Sequence, residues 1–121
     1  MNALRYCGRS LLVLVFLANL ALAQNVSGTA AFSGGSYQVE FELVDAGDPS
    51  ETTGTGEIVP PPGTQKLTVR WDKVTYEGVE WIVFSRDEAI LGAVKLPANT
   101  PGNAWLNDGS NNGAGQYGTW Q

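Results

Sequence analysis

Between Lys66 and Leu96 apolar residues recur at every second position, in runs separated by short polar breaks. This is the period of a β-strand. Leu67, Val69 and Trp71 share one face of the first run, and Thr68 and Arg70 the other. Asp72-Lys73 interrupts the alternation and reads as a bulge or a short turn. Val74 to Tyr76 and Val79 to Phe84 flank Glu77-Gly78, where glycine accepts a positive φ without steric cost, so a tight hairpin is expected there. The second arm is apolar on both sides: Val79, Trp81 and Val83 on one face, Ile82 and Phe84 on the other. Ala89 to Leu96, beyond the polar turn Ser85–Glu88, repeats this, with Leu91 and Ala93 opposed to Ile90 and Val94. Strands apolar on both faces are covered twice or meet a partner. Trp71 and Trp81, in register with Val and Leu, are expected in the core. Ile82, Phe84, Ile90 and Val94 are the candidate interface.

The segments on either side complete an all-β pattern. Val26 to Phe32 is a weak first strand, and Tyr37 to Leu43 a clean one, with Tyr37, Val39, Phe41 and Leu43 on one face and Gln38, Glu40 and Glu42 on the other. Arg70 is the expected cross-strand partner of those carboxylates. Asp45 to Gln65 is a long connection rich in Gly, Thr and Pro. It is expected to cross between sheets, with a short edge strand at Thr55 to Val59. Pro60 to Gly63 favours polyproline II but lacks the PxxP spacing of a recognition motif. After Pro97 the chain is rich in Asn and Gly, with short strands expected at Ala104–Leu106 and Gln116–Trp120. No amphipathic helix is foreseen. The pattern predicts a small antiparallel β-sandwich or β-barrel of about six to eight strands.

The first 23 residues have a different character. Arg5 and Arg9 precede the apolar run Leu11 to Leu22, and Ala21-Leu-Ala23 fits a small-x-small cleavage site. The expected organisation is a cleaved signal peptide over 1–23 and one domain over 24–121, secreted or periplasmic, with no membrane span after cleavage. Cys7 lies before the apolar run, where no lipid anchor attaches. Cleavage leaves 98 of the 121 residues, five basic against twelve acidic, a net charge of −7. An acidic chain without a basic cluster argues against nucleic acid and anionic membrane surfaces. Asn25-Val-Ser27 is a formal glycosylation sequon, read as chance.

Composition then removes most site chemistry. The chain has no His, and its one Cys precedes the cleavage site. Ser-His-Asp and Cys-His nucleophile systems, and the usual zinc, copper and haem sites, are therefore excluded from 24–121. No disulfide staples the domain. There is no glycine-rich phosphate loop. Carboxylate pairs at Glu77/Glu80 and Asp87/Glu88 are formal acid–base candidates, but both fall at turns, where charges are ordinarily solvated. The chain is read as a non-enzyme without cofactor. Asp108, Ser110 and Asn112, followed by Gly113, copy the first half of a calcium loop and are the weak metal candidates. Thr119 stands where a closing Glu is required.

Trp105, Tyr117 and Trp120 lie among Asn, Gly and Gln, a combination that stacks on sugar faces and bonds hydroxyls. With Asn107 and Asn112 they are the candidate ligand-binding residues. Three functions are compatible with this reading. The first is an exported non-catalytic binding module for a glycan, another cell-surface polymer or a protein. The second is a structural or assembly subunit, a homo-oligomer included, that uses the two-sided strands. The third is a small secreted enzyme inhibitor.

Overall fold

The computed structural model describes residues 24–61 and 65–121. The expected signal peptide and cleavage site lie outside the described residues. Eight strands follow one another: β1 (Val26–Phe32), β2 (Tyr37–Leu43), β3 (Thr53–Val59), β4 (Leu67–Tyr76), β5 (Val79–Arg86), β6 (Ala89–Val94), β7 (Ala104–Leu106) and β8 (Gln116–Trp120). Each pairs antiparallel with the next, and β8 returns to β1, giving a closed up-and-down barrel. Closure rests on a short seam, Ala30 opposite Trp120 and Ala31 opposite Thr119. Two backbone bonds between Thr29 and Gln121, 2.9 and 3.0 Å, extend it. Of the two architectures expected, the barrel is the one formed. A barrel leaves no continuous sheet edge, which suits a domain in which, among the described residues, no α-helix covers one.

Tight turns set the register. Glu77 and Gly78 both have positive φ, 51° and 79°, and place Tyr76 opposite Val79. Asp87 and Glu88 turn the chain in the same way between β5 and β6. The alternation does not break at Asp72-Lys73: β4 runs unbroken through both and pairs regularly with β5. The irregularity sits instead opposite Leu91, between Phe84 and Ser85 on β5. The long connection does not cross between sheets either. Its centre is β3, bonded to β2 on one side and β4 on the other, so it is not an edge. That strand separates Arg70 from Glu40 and Glu42. Arg70 instead meets Asp72, two residues along its own strand, at 3.0 Å.

The inside of the barrel is filled with side chains. Trp71, Leu43 and Val94 are fully enclosed, among Phe41, Phe84, Ile82, Val69, Ile58, Phe32 and Trp120. Each buried Leu, Val or Phe contributes roughly 1.5–3 kcal/mol of transfer free energy. Room for the largest rings comes from glycines directly opposite. Gly54 faces Trp71, and a Cβ there would come within 2.6 Å of the indole. Gly92 faces Phe84 with the same effect, 2.9 Å from the ring. The Trp71 indole N–H, the polar handle that an enclosed Trp must satisfy, donates to the Val44 carbonyl at 2.9 Å.

The outer surface has two unlike halves. Over β1 to β3 and the start of β4 it presents mainly polar residues, Thr29, Gln38, Glu40, Glu42, Thr55, Glu57 and Arg70, with Ala31 and Val59 between them. From the end of β4 round to β8 it presents Val74, Trp81, Val83, Ala93, Trp105 and Tyr117. Apolar inside with charged groups outside is the reverse of a lipid-embedded barrel. Among the described residues no helix is long and apolar enough to cross a membrane.

Candidate functional site

The apolar half of the outer surface forms a shallow groove of about 440 Å³. Strand register builds it. Val74 on β4 lies opposite Trp81 on β5, Val83 opposite Ala93 on β6, Ala93 opposite Trp105 on β7, and Trp105 opposite Tyr117 on β8. Outward residues of five neighbouring strands thus form one continuous strip. Tyr76 and Ile90 flank it, and Gly113 and Ala114 close the remaining side. Among the described residues, none lining the groove carries a charge. Tyr117 and Tyr76 are the most open, 59% and 57% exposed, with Ile90 at 48%. The Trp81 and Tyr117 rings lie 6.2 Å apart at a 54° tilt.

One end of the groove stands on a projecting arm. The pairing of β4 with β3 stops at Asp72, and the pairing of β5 with β6 begins at Ile82. Residues 74–76 and 79–81 therefore pair in these ladders only with each other. Val74, Tyr76, Val79 and Trp81 occupy one face of this ribbon, while Thr75 and Glu80 occupy the other. Lys73 ties its base to the preceding loop, its backbone N–H donating to Thr52 at 2.9 Å and its ammonium to the Asp48 carbonyl at 2.7 Å. A two-stranded ribbon with an open apolar face is marginal in water by itself, so the barrel below must hold it.

The opposite wall is the loop 107–115, shaped by its own side chains. Asp108 accepts from the backbone N–H and hydroxyl of Ser110 through one oxygen, and from the Gln116 amide at 2.7 Å through the other. The Ser110 hydroxyl, then its backbone N–H, then Gln116 hold the Asp108 carboxyl below its ordinary 3.8. Asn111 donates to the Gly115 carbonyl at 2.7 Å, and Asn107 to the Ile90 carbonyl at 2.8 Å. The Trp105 indole N–H donates to Ala114 at 2.9 Å, fixing the ring to the loop. Asp108 and Ser110 bond one another, Asn112 sits exposed at a turn with φ 60°, and no group of three acidic ligands occurs among the described residues. The Asp108 carboxylate, the strongest acceptor of the calcium-like motif, is thus engaged in shaping the loop.

The expected ligand residues do not share one surface. Trp105 and Tyr117 are neighbours on the groove. Trp120 is not. Alternation along β8 turns Trp120 into the barrel, where it is 5% exposed. There it packs edge-on against Phe41, with centroids 5.4 Å apart, and donates its indole N–H to the Lys95 carbonyl at 2.8 Å. Asn107 and Asn112 belong to the loop that forms the wall but do not line the groove. The expected interface is corrected more deeply. Ile82, Phe84 and Val94 point into the barrel, so three of its four residues are core. Ile90 alone reaches solvent, at the edge of the groove. Conversely Trp81, expected inside with Trp71, lies on the outer face, where its ring is largely covered by neighbours. The carboxylates Glu77, Asp87 and Glu88 sit at the exposed turns.

Val74, Tyr76, Val83 and Lys95 also belong to this region. The Lys95 ammonium lies 5.0 Å from the centre of the Trp81 ring. Comparison with protein-family models, with curated proteins and with solved structures finds no match.

Proposed function

We propose that the protein is an exported, non-catalytic binding module, secreted or periplasmic, whose binding surface is the groove on the outer face of β4 to β8. The observation that carries this reading is the concentration of outward-facing Val, Ile, Tyr and Trp on one half of a barrel whose other half is mainly polar. A continuous apolar strip whose rim, Val74, Tyr76, Ile90 and Tyr117, is exposed marks a contact surface. The barrel interior is filled and so offers no chamber for a ligand.

A protein is the better-supported ligand, ahead of a glycan. Sugar recognition needs free amides beside flat rings, and Asn107, Asn111 and Gln116 already donate within the chain. Branched side chains at Val74, Val83 and Ile90 suit apolar side chains more than pyranose faces. The non-catalytic reading is supported by the lack of histidine in the chain and by the uncharged lining of the groove. Assembly by strand addition loses its main support, because Ile82, Phe84 and Val94 are enclosed.

The test is to screen the purified protein against peptide and glycan arrays beside a Tyr76→Ser/Tyr117→Ser double variant. Both side chains are more than half exposed, so the variant should keep its melting temperature within a few degrees. Peptide binding that the double variant loses at least tenfold supports the reading. Binding that the variant retains in full contradicts it.

A further inference from the structure

Two charged groups border the groove on the outer face: Asp72, opposite Val83 and held by Arg70, and Lys95, whose surroundings set it apart from the other cations. Among the described residues, Arg70 pairs with Asp72 and Arg86 with Asp87. The Lys73 ammonium donates to the Asp48 carbonyl. Lys66 shares a shallow depression with Glu40, Glu42 and Glu57. Lys95 makes no ion pair among the described residues and lies 5.0 Å from the centre of the Trp81 ring, nearer than the 6.0 Å of Lys73 from Trp71, with no hydrogen bond from its ammonium. In a chain of net charge −5, an ammonium outside any ion pair is open to a carboxylate brought by a partner.

Its position is also fixed. The Lys95 backbone N–H donates to the Asn103 carbonyl at 2.8 Å, and its carbonyl accepts the Trp120 indole N–H at 2.8 Å. Asn103 is wholly buried, donates to the Pro97 carbonyl at 2.9 Å and accepts from the Trp120 backbone N–H at 2.7 Å. The residue's backbone is therefore clamped against Asn103 and Trp120, with its ammonium over the Trp81 ring. A cation held over an aromatic face beside apolar surface has lost part of its hydration, so a carboxylate reaching it binds more strongly than at an open surface.

We infer that Lys95 selects the partner: the segment that fills the groove is an acidic, apolar peptide, placing a carboxylate against the Lys95 ammonium and its apolar side chains against Trp81, Val83 and Tyr117. The inference rests on the groove being the binding surface and adds the charge of what binds there. It also gives Trp81 a role beyond packing: the indole is the platform that holds the ammonium at the groove's end.

The experiment uses blocked synthetic decapeptides in three sets, each with the same Leu, Val and Phe content: one carrying Glu, one Gln and one Lys at the variable positions. Binding to the purified protein is measured at 50 and 500 mM NaCl, for the native chain and for Lys95→Met, which keeps an unbranched apolar stem. The expected result is that Glu peptides bind the native chain at least tenfold tighter than Gln peptides at low salt. The preference shrinks at high salt. Lys95→Met abolishes it while keeping the affinity for Gln peptides and the melting temperature. Equal affinity of Glu and Gln peptides, or a preference that survives Lys95→Met, overturns the inference but leaves the groove as the site. Failure of all three sets, with oligogalacturonate bound instead or with a stable dimer in sedimentation, overturns both the inference and the choice of a foreign protein as ligand.

Discussion

Replacing Trp120 by alanine should weaken the barrel rather than remove a ligand contact. The side chain closes the seam between β8 and β1, stacks edge-on with Phe41 and gives its indole N–H to the Lys95 carbonyl. Truncation of a buried Trp costs about 3–5 kcal/mol, the loss of transfer free energy together with the cavity left behind. The Lys95 carbonyl loses its indole partner, which adds about 1 kcal/mol or more where water does not replace it. A domain of this size has only roughly 5–15 kcal/mol in total. The change therefore removes a large part of the stability, and at about 4–8 °C per kcal/mol the melting temperature falls by at least 15 °C. Circular dichroism melts and urea titrations of the two proteins measure this directly. Trp120→Phe keeps a ring against Phe41 and should fall between them. A Trp120→Ala variant melting within 3 °C of the native chain would refute the placement of this residue inside the barrel.

Gly54→Val should destabilise by about 1–3 kcal/mol, because the new side chain meets the Trp71 indole in a filled interior; a urea midpoint equal to that of the native chain would contradict the packing. Glu57→Lys should stabilise by about 0.2–1 kcal/mol, because Glu57 lies directly opposite Glu42 on the outer face. High salt should shrink that gain, and a destabilised variant would argue against the register. Asp108 is held below its ordinary carboxyl range by Ser110 and Gln116, and Asp48 by the backbone N–H and hydroxyl of Ser50. A depressed carboxyl contributes stability above its unfolded value and loses it as pH falls through the folded one. The urea midpoint should therefore hold between pH 8 and 5 and decline below about pH 4, more steeply for the native chain than for Asp108→Asn; parallel profiles would count against the loop geometry.

Much of the fold was legible in the alternation. The two short strands after Pro97 fall where the pattern places them, and the tight turn at Glu77-Gly78 forms as its composition requires. The faces of β5 were misassigned, although a clue lay in that same turn. A two-residue turn sets Tyr76 opposite Val79 and therefore Trp71 opposite Phe84. Trp71 and Trp81 then fall on opposite faces of the sheet, and only one of them can be core. The same parity separates Tyr117 from Trp120, three residues along one strand. A period of two divides residues that composition alone groups on one surface. The choice of inner face for a strand apolar on both sides was not local information. It was decided by glycines on neighbouring strands, Gly54 opposite Trp71 and Gly92 opposite Phe84, which make room for rings on one side only. Lys95 carried no pattern at all, since its meaning comes from Trp81 across the next strand.

The central claim, that Trp81 and Trp105 border a binding groove while Trp71 and Trp120 fill the barrel, is tested most directly by the four indole N–H resonances. These would be followed by NMR while the Glu-containing decapeptides are titrated into labelled protein. The Trp81 and Trp105 signals should shift with a common dissociation constant, and those of Trp71 and Trp120 should stay in place. Equal shifts of all four, or movement confined to Trp71 and Trp120, would contradict the account.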